Sequence, residues 1–197
     1  RVLAEFLRAR PDVKADLMMR ASHVVEDLIA SQQFDIGLAE TPLPRGSVKI
    51  EAFNPECIIA LPASDVLAEH ETLTPVDLDN YPMAMLFEDH PVTIATQKAF
   101  SLSDATLNKR FVLRTFLPSL QLVGAGLCGA VVDRMTAATS PAAGVVYRNF
   151  EPTITSSVAI LVPAHRPASV LTIAFMAHLR EKLIQIEDMS LSKMDQF

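Results

Sequence analysis

Cysteine and histidine are the residues from which reactive or metal-binding sites are most readily built, and this chain has two cysteines and five histidines. Cys57 and Cys128 lie inside the apolar runs CIIAL and GAGLCGAVV, where cysteine usually serves as a small hydrophobic residue. Neither has an assigned histidine partner that would activate it as a nucleophile. The histidines, at positions 23, 70, 90, 165 and 178, show no metal-ligand spacing. The sequence therefore predicts no enzyme, no metal site and no cofactor.

The remaining candidates are polar residues placed where a helix begins or a strand ends. Ser22 precedes a helix whose free N–H groups would hold a carboxylate, unless the serine is only an N-cap. His23 beside it either contacts an anion or is an exposed residue of the first turn. Glu40 and Thr41 follow the strand FDIGLA, and a carboxylate there suits an ammonium or guanidinium group, the alternative being a solvated loop. These residues favour a ligand with both carboxylate and cationic ends, such as a basic amino acid or its conjugate.

Similar candidates follow in the second half of the chain. Phe116 to Ser119 open a helix in which Ser119 would complete a clamp on an anionic group, and Pro118 supports a helix start there. Phe87, with Glu88 and Asp89, ends one strand, and Asp133 ends another. Each of these is a weaker candidate for ligand contact, because surface acids are usually only solvated.

The composition restricts the class of protein. Half of the 197 residues are hydrophobic and a fifth are charged, as in a folded globular chain. The net charge of -6 lacks the basic excess of a DNA-binding surface, so we expect any DNA contact to lie outside this sequence. No apolar run reaches the length of a membrane span, and two cysteines in apolar runs favour a reducing, cytoplasmic setting.

Hydrophobic periodicity predicts alternating helices and strands. Strands are expected over residues 13–19, 34–39, 48–53, 57–61, 83–87, 110–115, 130–133, 144–147 and 156–164. Helices are expected over 1–10, 23–32, 93–100, 118–127 and 167–186, with a further helix start at Thr74-Pro75-Val76-Asp77. This order predicts an α/β fold.

The same order predicts two lobes joined by two chain crossings. We expect residues 1–61 and 156–197 to form one lobe, and residues 62–155 to form the other. Two crossings make a hinge, and ligands of open α/β sheets bind at the carboxyl ends of strands, here in the cleft between the lobes.

Four segments in this order carry a family resemblance: FLRARPDVKADLM, RASHVVEDLIASQQFDIGLAE, IIALPASDVLAEHETLTPVDLDNYPM and LPSLQLVGAGLCGAVVD. Nearly the whole chain resembles the effector-binding domain of LysR-type transcriptional regulators, and ASQQFDIGLAE is similar to the branch that senses amino acids and opines. The resemblance implies the two-lobed, type II periplasmic-binding-protein fold. It also implies a small effector that changes lobe or dimer geometry, a homodimer, and a tetramer in the full-length form.

The chain departs from this pattern in three places. In the family pattern, a DNA-binding winged helix-turn-helix comes first, and a first strand with its following loop comes just before the position of Arg1. Neither is among the residues of this sequence. The usual H-P-L-A step reads SDVLA at 64–68. Two alternatives therefore stay open: a periplasmic-type solute-binding protein, and an enzyme or regulatory module on the same fold.

Overall fold

The structure is a computed structural model that describes residues 2–195, apart from the side chain of Lys193. The strands are β1 Gly37–Glu40, β2 Val48–Phe53, β3 Cys57–Pro62, β4 Thr72–Leu73, β5 Pro82–Leu86, β6 Asn108–Leu113, β7 Gly129–Asp133, β8 Val145–Phe150 and β9 Val158–Pro163. The α-helices are α1 Val2–Arg8, α2 Ser22–Ala30, α3 Pro91–Leu102, α4 Leu117–Gly124, α5 Arg134–Thr139, α6 Val170–Glu187 and α7 Leu191–Met194. The fold is therefore α/β, as the sequence predicts.

The chain divides into two compact units. Unit 1 comprises the residues up to Asn54 together with Ser157–Gln185, and unit 2 comprises Pro55–Ser156 together with the residues from Ile186 onward. The chain passes from one unit to the other at three points, after Asn54, after Ser156 and within α6.

Unit 1 is built on a three-stranded antiparallel sheet in the order β1-β9-β2. Its central strand β9, VAILVP, is buried along its whole length because it has a neighbour on both edges and helices against it. Its core cluster is small and consists of Ile29, Ala39, Val48, Ala159 and Leu161. Helix α1 packs on α6 through the rings of Phe6 and Phe175, whose centroids lie 5.0 Å apart.

Unit 2 is built on a six-stranded sheet in the order β4-β8-β3-β7-β5-β6. Strands β7, β5 and β6 are mutually parallel neighbours, whereas β3 runs antiparallel to β7 and β8. In β3, Ile58 and Ala60 belong to one core cluster, and Ile59 and Leu61 belong to another. Since successive side chains of a strand point to opposite faces, the sheet of unit 2 is covered by a hydrophobic core on both sides.

The expected lobes and the observed units have different boundaries. Sequence analysis places residues 57–61 and the end of the chain in the first lobe, whereas β3 pairs with β7 and β8 inside unit 2. Ile186 and Met194 are likewise part of a unit 2 core cluster. The physical reason is that an apolar strand such as CIIALP fits any sheet centre, and only its pairing partners decide which sheet it joins.

Two predicted elements are wrong. The strand expected over 13–19 is an irregular, largely exposed segment, and Leu17 and Met19 are 73% and 81% exposed. Among residues 2–195 no strand pairs with it, and an alternating pattern without a partner does not satisfy the backbone hydrogen bonds of a strand. The expected helix at Thr74 is a turn, in which the Thr74 amide and hydroxyl both donate to Asp77 Oδ2.

The other predicted elements are present, and except for the strand over 48–53 their ends are shifted. The strand expected over 34–39 is β1, which begins only at Gly37, and the helix expected over 118–127 is α4, which ends at Gly124. The expected first helix begins at Arg1, which lies outside the described residues. None of the helices in the described part of the chain is long and apolar enough to cross a membrane.

Candidate functional site

In unit 1, the start of α2 and the end of β1 are joined through Ser22 and Glu40. The Glu40 backbone N–H donates to Ser22 Oγ over 3.2 Å. Thr41, the next residue, is tied to β9, because Ser157 Oγ donates to Thr41 Oγ1 over 2.6 Å and the Thr41 N–H donates to the Ser157 carbonyl. The structure therefore brings together Ser22, Glu40 and Thr41, which sequence analysis named as candidates.

This contact depends on small residues in β1. Gly37 and Ala39 face α2, and a Cβ atom at Gly37 would lie only 2.7 Å from Val25 Cγ1. Glycine therefore lets the strand approach the helix closely, which places the Glu40 amide within reach of the Ser22 hydroxyl. In β1, Gly37 and Ala39 are buried, whereas Leu38 and Glu40 are exposed.

Two expectations about these residues are corrected by the geometry. Ala21, not Ser22, is the N-cap of α2, and Ser22 is the first residue of the helix. Because alanine has no side-chain acceptor, α2 begins without a side-chain cap, and the N–H groups of its first turn suit an anion. Glu40 is the last residue of β1 instead of following the strand, and it is exposed. His23 is an exposed residue of the first turn of α2.

In unit 2, the candidates follow the carboxyl ends of neighbouring parallel strands. Phe87 follows β5, Arg114 follows β6, and Asp133 is the last residue of β7. Because β7, β5 and β6 run parallel, these three residues lie at the same edge of the sheet. This is the edge at which open α/β sheets bind ligands.

An aromatic cluster forms at this edge, and sequence analysis missed its central member. The His90 ring packs edge-on against the rings of Phe87 and Phe116, with centroid distances of 5.4 and 5.7 Å. His90 is only 5% exposed and is the N-cap of α3, where its Nδ1 accepts from the Val92 N–H over 3.1 Å. A neutral His90 therefore carries its ring proton on Nε2. Proline at 91 was the sequence signal for a helix start with a polar cap at residue 90.

Arg114 is a second residue that sequence analysis missed. Its guanidinium carbon lies 5.1 Å from the centroid of the Phe87 ring, and the residue is exposed. Arginine stacks readily on an aromatic face and keeps its hydrogen-bonding fork in a fixed orientation.

Ser119 lies inside the helix that it was expected to open. The N-cap of α4 is Phe116, and Ser119 is buried inside the first turn with its Oγ donating to the Phe116 carbonyl over 2.5 Å. The Ser119 hydroxyl is therefore already hydrogen-bonded within its own helix.

Asp133 is a structural cap of α5. Its Oδ1 accepts from the Thr136 N–H and its Oδ2 from the Thr136 hydroxyl, both over 2.7 Å. Burial raises the pKa of Asp133 above its usual value, and the two Thr136 hydrogen bonds oppose this effect. Cys57 lies opposite Asp133 across β3 and β7, and burial raises the pKa of its thiol, so the unreactive thiol form dominates.

Within residues 2–195, no group of three or more His, Cys, Asp or Glu side chains is arranged to hold a metal ion. What each unit does offer is a small set of polar or aromatic groups at helix starts and strand ends, which is suited to binding a charged organic molecule.

The comparison that decides the family is with a family model. The LysR substrate binding domain model matches residues 1–184 of this chain. The chain belongs to the LysR substrate-binding domain family. The confirmed resemblance covers more than nine-tenths of the chain, so the α/β fold is the type II periplasmic-binding-protein fold of these domains.

Individual relatives agree with this assignment. The chain is 29% identical over 185 residues to the transcriptional activator protein LysR of Escherichia coli (strain K12), covering 92% of this chain and 59% of that protein. It therefore spans less than two-thirds of the length of this relative.

Two solved structures show the same fold. One is a LysR family transcriptional regulator from Pseudomonas aeruginosa, with a TM-score of 0.75, 18% identity, and coverage of 92% of this chain and 65% of that one. The other is the regulatory domain of Synechocystis PCC6803 CcmR, solved in complex with 2-PG, with a TM-score of 0.70, 16% identity, and coverage of 92% and 89%.

Proposed function

We propose that this LysR-family domain senses an amino acid or a closely related molecule that carries both a carboxylate and a cationic group. The single observation that carries the proposal is the hydrogen bond of 3.2 Å from the Glu40 amide to Ser22 Oγ. It keeps the uncapped start of α2, which suits an anion, next to the carboxylate-bearing end of β1, which suits a cation.

An α-amino acid matches this pair because its carboxylate and ammonium groups are separated by one carbon atom. The first turn of α2, with Ser22 and His23, would bind the carboxylate, and Glu40 and Thr41 would bind the ammonium. In unit 2, Phe87 and Phe116 offer apolar ring faces, and the His90 ring packs against both. We propose Ser119 and Asp133 only as supports of α4 and α5, because both side chains are buried and hydrogen-bonded within their helices.

The remaining parts of the proposal concern the protein in its setting. Binding would shift the population of conformations and so regulate an attached DNA-binding segment in the cytoplasm, without catalysis. The buried thiols of Cys57 and Cys128, whose pKa values burial raises, support a role without a nucleophile. The structural likeness to a regulatory domain solved in complex with 2-PG supports binding of a small molecule.

We also propose that the domain forms a homodimer and the full-length protein a tetramer. The exposed apolar residues Leu17 and Met19 and the neighbouring helix α1 supply a surface in unit 1 for pairing. Light scattering should give a mass near twice the 21.5 kDa of one chain. A mass of one chain at micromolar concentration would contradict this part of the proposal.

The test of the ligand class begins with a thermal-shift screen of amino acids and related acids. For a compound that stabilises the protein, Glu40→Gln and Ser22→Ala should each weaken binding by roughly ten- to hundredfold, since each removes a hydrogen bond to a charged group. The melting temperature of unliganded Glu40→Gln should stay unchanged, because Glu40 is exposed.

Asp16→Asn is the matched control, since it removes one exposed carboxylate from the same unit. The proposal fails if Glu40→Gln binds the effector as tightly as the wild type, or if the effector is a purely anionic aromatic acid.

A further inference from the structure

We propose that Met18 and Met19 form an oxidation site, at which conversion of the Met19 thioether to a sulfoxide weakens the pairing of two copies of this chain. The inference rests on the proposed function, because it adds a means of regulation to the pairing surface around Leu17 and Met19. Both methionines lie in segment 14–21 of unit 1, which has no helix or strand and in which every residue is exposed.

The sulfur side chains of the chain differ sharply in exposure. The chain has eight methionines and two cysteines. Within residues 2–195, Met18 and Met19 are the only exposed sulfur side chains, at 40% and 81%. The others are buried or partly buried: Met83, Met85, Met135, Met176, Met189, Met194, Cys57 and Cys128. Because an oxidant dissolved in water reacts first with the sulfur that it can reach, Met19 should be oxidised before the rest.

The two cysteines are poor competitors for an oxidant. Cys57 and Cys128 are only 3% and 1% exposed, and burial raises the pKa of both thiols. The thiolate is the reactive form of cysteine, so a buried thiol of raised pKa reacts slowly. A thioether has no proton to lose, and its oxidation needs no ionisation. The sulfur that reacts first should therefore be that of a methionine, at a rate that does not change with pH near neutrality.

Hydrogen peroxide is the oxidant that completes the reaction. The Met19 sulfur gives an electron pair to one peroxide oxygen, the O–O bond breaks and an S–O bond forms. The other oxygen takes up the proton of the first and leaves as water. Methionine is thus oxidised by two electrons and peroxide is reduced, and a flexible apolar side chain becomes a polar one.

A polar group at position 19 opposes pairing through this surface. Leu17, which is 73% exposed beside it, supplies no hydrogen-bond donor from its side chain. A sulfoxide buried there would lose its hydrogen bonds to water without replacement. A two-fold interface uses the same patch on both copies, so each dimer would contain two such groups. By the reciprocal argument, pairing should protect Met19, and oxidation should slow as the protein concentration rises.

The experiment treats the protein with hydrogen peroxide. Peptide mass spectrometry then locates the sulfoxides, and light scattering over a dilution series gives the dissociation constant of the dimer. The first sulfoxide should form at Met19, and the dissociation constant should rise by roughly tenfold or more. Treatment with the two methionine sulfoxide reductases, one for each epimer, should restore the original value.

Variants separate oxidation at this site from damage elsewhere. The double variant Met18→Leu, Met19→Leu keeps the apolar side chains but removes the sulfur, so it should pair like the wild type both before and after peroxide. Met19→Gln places a polar side chain of similar length at this position and should weaken pairing without peroxide. Leu43→Gln is the matched control, because Leu43 is an apolar residue of unit 1 that is 87% exposed. It should leave the dissociation constant unchanged.

The outcomes distinguish this inference from the proposed function. A first sulfoxide at any methionine other than Met18 or Met19 overturns the oxidation site. A sulfoxide at Met19 that leaves the dissociation constant unchanged overturns its effect on pairing, while the proposed homodimer stands. If the untreated protein is a single chain at micromolar concentration, the effect on pairing and the proposed homodimer fail together.

Discussion

Unit 1 and unit 2 hold their candidate ligand contacts by different means. In unit 1 a single hydrogen bond joins Ser22 to Glu40, and the two small residues Gly37 and Ala39 allow that approach. In unit 2 the candidate residues follow parallel strands of a sheet that is buried on both faces. The His90 ring packs between the rings of Phe87 and Phe116 and holds them in place.

Only the candidate site of unit 2 is therefore supported by a large hydrophobic core. The core cluster of unit 1 lies around Ile29 and Leu161, whereas unit 2 has separate clusters on either face of its sheet. A site held by one polar contact can adjust to a ligand at little cost, whereas a site backed by buried strands presents a fixed shape. We therefore expect the candidate site of unit 2 to have the more fixed shape and that of unit 1 to be the more adaptable.

The largest effects should come from deleting core volume in each unit. Leu61 in unit 2 and Leu161 in unit 1 are both fully buried. Replacing either with alanine should lower the free energy of unfolding by about 2–5 kcal/mol. Hydrogen exchange should show where the loss falls: Leu161→Ala should raise exchange in β1, β2 and β9 first, and Leu61→Ala in β3, β7 and β8.

Leu38→Ala is the control for this pair, since Leu38 is 39% exposed and its loss should cost much less. If Leu161→Ala raised exchange equally in both sheets, the two units would unfold together. The difference between their cores would then not give them different stabilities.

A pH-dependent effect of intermediate size should arise from Asp133 in unit 2. Burial raises the pKa of Asp133 above its ordinary value of 3.8, so the folded state binds the proton more tightly than the unfolded state does. The stability from this group is therefore complete below the ordinary value and is lost as pH rises through the raised pKa.

Asp133→Asn keeps an acceptor for the Thr136 amide but does not ionise. Urea titrations of both proteins from acid to neutral pH should show a fall in the wild type that the variant lacks. If the variant had the same pH profile as the wild type, burial of Asp133 at the sheet edge of unit 2 would not be the source of this pH dependence.

The elements of both units were predictable where the sequence pattern is local. The apolar runs CIIAL and VAILV correspond to β3 and β9, which are buried at the centres of their sheets. The segment 13–19 has an equally clear alternation and is not a strand, because pairing needs a second strand and alternation does not provide one. For the same reason, no local pattern could place β3 in unit 2.

The candidate sites were predictable only in part. Glu40 and Thr41 were identified because a charge directly after an apolar strand marks a strand end. Arg114 was missed because the ring beneath it comes from a strand more than twenty residues away in the sequence. The position of Ser119 inside the first turn was not predictable, because a serine after a proline resembles a cap while the N-cap of α4 is Phe116.

The smallest effect should come from an ion pair of unit 1, and its pH dependence should be opposite to that of Asp133. Arg180 Nε and Nη2 donate to the two carboxylate oxygens of Glu51 over 2.5 and 2.7 Å. The hydrogen bond from Arg180 holds the pKa of Glu51 below its ordinary value of 4.5, and partial burial opposes this. The stability from Glu51 is therefore present above the ordinary value and is lost as pH falls through the lowered pKa.

The Glu51 and Arg180 side chains are 35% and 42% exposed, so solvent screens the pair and its contribution is only about 0.2–1 kcal/mol. Glu51→Gln should lower the free energy of unfolding by this amount at neutral pH and by nothing in strong acid. A double-mutant cycle with Arg180→Met isolates the pair from the loss of either side chain alone. A coupling energy of several kcal/mol would show that this pair is as desolvated as Asp133. The contrast between unit 1, stabilised by a solvent-screened ion pair, and unit 2, stabilised by its buried core, would then be wrong.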